Sequence, residues 1–229
     1  MIDDKKISAV ITAAGNGLRM KSDKAKPYIE LKGRKILEIC LDTVVSLEEI
    51  DQIIVVIRKD DEDYLKDIIK KYKKKISYVF GKETRELSTY EGLKAVDKDS
   101  KLVLTHDGVR PFASKKLFKN IMDELREYKA VISAVKSKDT VKIVGDDLLV
   151  KNTPLRKEVY NVQTPQAFDK EMILSSYEKY TKSDFTITDD SQLFEIFSKE
   201  KIKVVEGEYS NIKITTPEDL IFARGFLED

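Results

Sequence analysis

The sequence predicts an α/β protein with a three-layer, mostly parallel sheet. Short apolar runs rich in β-branched residues recur along the chain, and longer amphipathic stretches with lysine and glutamate on their outer faces separate them. Alternation of this kind places helices on both faces of a parallel sheet. The length, 229 residues, suffices for one full hydrophobic core and does not require a second, so residues 1–229 are read as a single domain.

Taken in order, Ile7 to Thr12 reads as the first strand, and "AAGNGLRM" follows it with two glycines one residue apart and then an arginine. Helix-like Ile36 to Ser46 precedes a strand at Ile53 to Ile57; Asp61 to Lys73 precedes one at Ile76 to Val79. Ser88 to Val96 then leads to Leu102 to Thr105, and Lys115 to Tyr128 leads to Ala130 to Val135. The texture changes from Ser137 to Phe168, where two short alternating runs flank a Gly-Asp-Asp turn. That pattern predicts an extended hairpin or arm at about residues 137–165, which either pairs with another subunit or packs on its own domain. Helices near Lys170 to Tyr180 and Asp190 to Ser198, a strand at Lys203 to Glu206 and a closing helix complete the chain. In the closing helix Thr216 is the expected cap, Pro217 the first helical residue, and Glu218 and Asp219 favour its positive end.

Hydrophobic residues make up 41% and charged residues 36%, yet the formal net charge is only +1, which argues against a nucleic-acid or anionic-membrane partner. Cys40 and His106 are the sole cysteine and histidine, so neither a disulfide framework nor a thiolate or histidine metal site is expected. Cys40 reads as a core residue. No apolar run approaches the ~20 residues that span a bilayer, and no charged-then-apolar leader opens the chain, so a soluble, cytoplasmic protein is expected.

In an open parallel sheet ligands gather at the carboxyl ends of strands, which directs attention to the turns there. The first holds Gly15 and Gly17, which can aim several backbone N–H groups at one point, and Arg19, a forked cation for phosphate oxygens. It lacks the third glycine of the dinucleotide fingerprint and the Gly-Lys-Ser/Thr ending of a Walker loop, so a plain structural turn stays open. Lys26, just before Pro27, is placed to bridge an anion held by the same turn. "THDGVRPF" ends a central strand with His106, Asp107, Gly108 and Arg110; Asp107 and Arg110 suit hydroxyl and phosphate recognition, or form a structural pair. His106 reads as a hydrogen-bonded turn residue rather than an acid or base. Between a strand and a helix, Gly81, Lys82, Arg85 and Ser88 form either another anion or base pocket, or a helix entry capped by Glu83 or Thr84. Lys213 is expected in a strand, facing away from Ile212 and Ile214, with a paired or anion-binding role.

Together "AAGNGLRM", "AKPYIEL", "GKETRELSTYEGL", "THDGVRPF", "KDTVK", "VQTPQAF", "TDDS" and "NIKITTPEDL" resemble, collinearly, the 2-C-methyl-D-erythritol 4-phosphate cytidylyltransferases. That resemblance implies the nucleotidyltransferase (glycosyltransferase-A type) fold with an extended β-arm. It also implies attack of a substrate phosphate on the α-phosphate of CTP, with pyrophosphate leaving and magnesium bridging the phosphates. By resemblance, Ala13, Ala14, Gly15 and Gly17 form the CTP loop, and Arg19, Lys26 and Lys213 are the catalytic cations. Gly81, Lys82 and Ser88 lie toward cytosine, and Asp107 and Gly108 toward the ribose and substrate. Arg110, Thr188 and Lys213 surround the acceptor and the reacting phosphates. Thr140 and Arg156, on the arm, are implied to serve the neighbouring subunit's substrate phosphate, which makes the enzyme a homodimer. The chain departs from the family pattern at Pro27, Phe80, Lys82 and Val109. The sister family that cytidylylates ribitol 5-phosphate is the rival: "HDGVRPF", "PLRKEVY" and "GEYSNIKITT" lean toward it, whereas "TITDDS" and "VQTPQAF" favour methylerythritol phosphate.

Overall fold

The computed structural model describes residues 2–15 and 25–227. β1 (Lys6–Thr12) is buried through its middle, as an apolar central strand must be. A 3-10 turn at Lys26–Tyr28 leads into a minimal hairpin, β2 (Glu30–Leu31) and β3 (Arg34–Lys35), and then α1 (Ile36–Val45). β4 (Gln52–Ile57), α2 (Glu62–Ile69), β5 (Ile76–Phe80), α3 (Arg85–Lys94), β6 (Ser100–Asp107), α4 (Lys115–Glu124) and β7 (Ala130–Lys136) alternate as expected. A small hairpin, β8 (Ile143–Val144) and β9 (Val150–Asn152), comes next, then β10 (Tyr160–Asp169), α5 (Lys170–Tyr180), α6 (Asp190–Ser198), β11 (Ile202–Glu206) and α7 (Pro217–Gly225).

Seven of these strands form one sheet in the order β11-β7-β10-β6-β1-β4-β5. β10 runs antiparallel to both of its neighbours, and the other pairings in the sheet are parallel. The chain steps from β1 to β4 and β5 on one side, then crosses back through α3 to β6 on the other. Strand order therefore reverses between β1 and β6, and the crevice beyond their carboxyl ends is where such folds bind ligands.

Helices cover both faces. α1, α2 and α4 lay Leu37, Leu41, Leu65, Ile68, Phe118 and Ile121 on one side, where Cys40 is also buried. On the other, α3, α5 and α6 contribute Leu93, Ile173, Tyr177, Leu193 and Phe194. α7 opens as the sequence implies, with Pro217 at its start and the Asp219 carboxylate accepting the Thr215 and Thr216 backbone N–H groups at 2.7 and 2.8 Å.

Several expected boundaries move. α3 begins at Arg85, not Ser88, because Thr84 caps it by accepting the Leu87 N–H at 3.2 Å. α2 stops at Ile69, and Tyr72 beyond it turns to donate to Asp42 at 2.7 Å; α4 stops at Glu124. Lys213 does not lie in a strand. Lys213 and Ile212 are both half-buried while Ile214 is buried, so burial does not alternate as read; the Ile214 N–H donates to the Val109 carbonyl at 2.9 Å, but among the described residues no strand is formed there. The arm is also shorter than residues 137–165: the hairpin proper spans Ile143 to Asn152, and from Tyr160 the chain is already a sheet strand. Alternation could not reveal this, because one strand buried along half its length reads like the second leg of a hairpin.

Candidate active site

The carboxyl end of β1 delivers Thr12, Ala13, Ala14 and Gly15 to the wall of a cavity of about 330 Å³. The Ala13 N–H is held by the Val56 carbonyl at 2.7 Å, which fixes how the loop departs. Gly17 and Arg19 fall outside the described residues. Lys26 lines the same cavity from its 3-10 turn, with Pro27 fixing the backbone behind it. The next residue, Tyr28, is buried and packs its ring against Tyr64 at 5.3 Å, anchoring that turn.

Opposite, the turn after β5 closes on the β1 loop. A methyl group on Gly81 would sit 2.6 Å from both the Ala14 Cβ and the Ser88 Oγ, so only glycine permits this approach. Ser88 lines the cavity, but its hydroxyl accepts the Lys82 N–H at 2.9 Å and donates to the Thr84 carbonyl at 2.7 Å, holding the turn together. Lys82, Glu83, Thr84, Arg85, Val109, Asp107 and Lys213 complete the wall. Lys26, Lys82, Arg85 and Lys213 thus face Glu83 and Asp107, a net positive lining suited to a polyanion.

Asp107 is the hub. It ends β6 almost fully buried, and three cations converge on it: Arg85 at 3.3 Å on Oδ1, and Arg110 and Lys213 each at 3.1 Å on Oδ2. Burial alone would push its carboxyl up, but the charges of Arg85, Lys213 and Arg110 outweigh it and hold Asp107 well below the usual carboxylate range. Gly108 lets β6 close on β1: its N–H donates to the Thr12 carbonyl at 2.9 Å, and a Cβ there would meet Leu37 Cδ1 at 2.9 Å.

A second cavity of about 250 Å³ adjoins the first and shares Arg85, Asp107 and Lys213 with it. Arg110, Gln163, Thr164, Gln166, Thr188 and Asp189 lie on its far side. Pairing of β10 with β7 breaks between Val162 and Gln166, and this break carries Gln163 and Thr164 to the crevice. Thr164 Oγ1 accepts the Asp107 N–H at 3.0 Å and lies 2.9 Å from Nδ1 of His106. With Nε2 of His106 donating to the Arg110 carbonyl at 3.3 Å, the ring is a neutral spacer, and burial lowers its pKa to about 4. It is hydrogen-bonded as read from sequence, but it belongs to β6, which runs on to Asp107, and not to the turn beyond.

Residues far apart in sequence therefore meet: Lys26, Gly81, Asp107, Arg110, Thr188 and Lys213 all border one crevice or its close packing. Thr140 and Arg156 do not; both are exposed near the hairpin and line neither cavity of their own chain. Sequence reasoning placed Arg85 in a candidate anion or base pocket but did not connect it to Asp107 or Asp190, and it assigned no role to Gln163, Thr164 or Asp189. The chain crossing that sets β10 beside β6 brings in Gln163 and Thr164, and Asp189, the cap of α6, is met there by the Gln166 side-chain amide at 2.8 Å.

A positive crevice at the topological switch point of a mostly parallel sheet, split by a carboxylate into two compartments, defines a nucleotide-handling enzyme of the group-transfer class. The sequence pattern of the 2-C-methyl-D-erythritol 4-phosphate cytidylyltransferases matches residues 7–229. A solved structure of the 4-diphosphocytidyl-2C-methyl-D-erythritol synthase of Anaerococcus prevotii is 64% identical and covers 100% of this chain and 98% of its own, with a TM-score of 0.92. Enzymes named 2-C-methyl-D-erythritol 4-phosphate cytidylyltransferase from Lachnoclostridium phytofermentans and Caldanaerobacter subterraneus are 42% and 39% identical. They align over 98% and 96% of this chain and 97% and 98% of their own lengths. The chain belongs to the 2-C-methyl-D-erythritol 4-phosphate cytidylyltransferase family, and its fold is the nucleotidyltransferase fold of those neighbours.

Proposed function

We propose that the protein transfers the cytidylyl group of CTP to 2-C-methyl-D-erythritol 4-phosphate, giving 4-diphosphocytidyl-2-C-methyl-D-erythritol and pyrophosphate. The carrying observation is the pair of adjoining cavities that share Arg85, Asp107 and Lys213, a layout that seats two anions on either side of one reacting phosphate. Family membership selects methylerythritol phosphate over ribitol phosphate as the acceptor.

In this reading the nucleotide occupies the first cavity, with its triphosphate along Ala13, Ala14, Gly15 and Gly17 and its base toward Gly81, Lys82 and Ser88. Asp107, beside Gly108, faces the ribose and the acceptor. A phosphate oxygen of the acceptor attacks the α-phosphorus of CTP, and the bond to the bridging oxygen breaks to release pyrophosphate. The attacking oxygen is already anionic near neutral pH, so no side chain needs to take a proton. Catalysis consists of placing cations where charge builds, and Arg19, Lys26 and Lys213 are assigned to that task. Arg110 and Thr188 hold the acceptor, together with Thr140 and Arg156 of a second copy in a homodimer. The exposed apolar hairpin residues Ile143, Val144, Leu148, Leu149 and Val150 support that assembly.

Magnesium fits this site as a companion of the triphosphate. Among the described residues no three metal-ligating side chains cluster, and both Asp107 oxygens already face cations. Phosphate oxygens would hold the ion, whose contribution is to neutralise charge on the leaving pyrophosphate. No described helix is long and apolar enough to cross a membrane. Pyrophosphate release from CTP, compared between methylerythritol phosphate and ribitol 5-phosphate, tests the reading. A clear preference for ribitol 5-phosphate would overturn it.

A further inference from the structure

In the wall shared by the two cavities lies a charge pair to which the proposed chemistry gives no role, with Asp190 buried and the Arg85 side chain 25% exposed. Arg85 spans two carboxylates: Nε and Nη2 each lie 3.3 Å from Asp107 Oδ1, and Nη1 lies 3.0 Å from Asp190 Oδ1. Asp190 is fully buried at the start of α6, and the Tyr177 hydroxyl donates to the same Oδ1 at 2.7 Å. Among the described residues Asp190 Oδ2 has no hydrogen-bond partner. Tyr177 is fixed in turn by its ring, which stacks on Tyr90 at 5.3 Å with planes 4° apart. The chain Tyr177–Asp190–Arg85–Asp107 thus runs from the helical layer to the partition of the crevice.

Stability alone does not account for this arrangement. An ion pair with a buried carboxylate roughly breaks even against well-packed apolar residues, and here, among the described residues, one carboxylate oxygen is left without a donor. What the pair does achieve is geometric: a guanidinium held at both ends cannot rotate, so Asp107 Oδ1 is held in one place while Oδ2 takes Arg110 and Lys213.

We infer that Arg85 is a positioning residue for the transfer reaction, aimed by the buried Asp190–Tyr177 pair, and that it fixes the orientation of the Asp107 carboxylate on which both cavities depend. The inference rests on the reading of the second cavity as the acceptor site. Lysine at position 85 keeps the charge but cannot span two carboxylates, and phenylalanine at 177 keeps the stacked ring but drops the hydroxyl.

The test uses wild type, Arg85→Lys, Asp190→Asn and Tyr177→Phe, with steady-state kinetics in both substrates, urea midpoints and the NMR signal of the Arg85 Nε–H. Expected for Arg85→Lys is a loss of ~30-fold or more in kcat/KM for the acceptor, with KM for CTP changed less than ~3-fold. Tyr177→Phe should give ~3- to 10-fold in the same parameter at a near-wild-type midpoint, and a Nε–H signal that broadens or shifts. Asp190→Asn should fall between them. Wild-type acceptor kinetics in both Arg85→Lys and Tyr177→Phe would overturn the inference, and so would losses that fall equally on both substrates and track the midpoints. An inactive wild type would instead overturn the reading of function, while the Nε–H signal would still report whether Tyr177 and Asp190 restrain Arg85.

Discussion

The buried histidine gives a stability prediction with a definite sign. His106 lies at the end of β6, 1% exposed, with Thr164 and the Arg110 carbonyl on its two nitrogens, and burial lowers its pKa from 6.5 to about 4. The unfolded chain binds a proton near pH 6.5, whereas the folded chain resists until near pH 4. Stability is therefore full above the unfolded pKa, falls as pH drops below it and levels off below the folded one. The full amplitude is about 3 kcal/mol, of which about 2 kcal/mol should vanish between about pH 7.5 and about pH 5, before most carboxylates titrate. Urea unfolding at those two pH values should show the midpoint falling by roughly 0.7–1 M. His106→Gln, whatever its level of stability, should lose that slope, since His106 is the chain's only histidine. A wild-type midpoint that stays flat over this window, or a His106 ring signal titrating near pH 6.5 in the folded protein, would refute the reasoning.

Four further outcomes are expected. Lys26→Ala or Lys213→Ala should cut kcat by ~10²- to 10³-fold and leave CTP affinity within a few-fold; a fall in affinity alone, measured by calorimetry, would make them binding groups only. Gly81→Ala puts its methyl 2.6 Å from Ala14 and Ser88, so it should weaken CTP binding ~10-fold or more and cost about 1–3 kcal/mol in unfolding. Thr164→Val removes the acceptor of the Asp107 N–H, and a loss of about 1–3 kcal/mol is expected by denaturant titration. Finally, if Arg156 serves the neighbouring site, mixing and reassociating inactive Arg156→Ala and Lys213→Ala chains should restore about a quarter of wild-type activity, because half the dimers then hold one intact site. No recovery on mixing would remove Arg156 from the partner's site.

Much of the fold could be read directly because its strands are buried on both faces and its helices on one. The patterns of Ile53 to Ile57 and of Ala130 to Val135 leave little freedom. β10 escaped that reading: its exposed first residues alternate like a hairpin leg, and nothing local says that the remainder enters the sheet between β6 and β7. The site was legible where a motif fills one turn, as at Gly81 or at Asp107 and Arg110. It was illegible where partners lie far apart, as with Arg85 and Asp190, whose encounter depends on the stacking of α3, α5 and α6. At α3 the apolar pattern alone begins the helix at Ser88, whereas the alternative of a cap at Thr84 places its start at Arg85, as the structure has it.

The path of β10 also bears on engineering. Its first residues follow directly from the hairpin and the turn at Arg156–Glu158, and within a few residues the same strand supplies Thr164 to the backbone of Asp107. The hairpin and the carboxylate hub are thus two ends of one taut cord. A cut between Val144 and Val150 would remove the exposed Leu148 and Leu149 proposed to meet a second copy and leave β10 whole, whereas a cut beyond Arg156 would slacken the strand that keeps Asp107 in place.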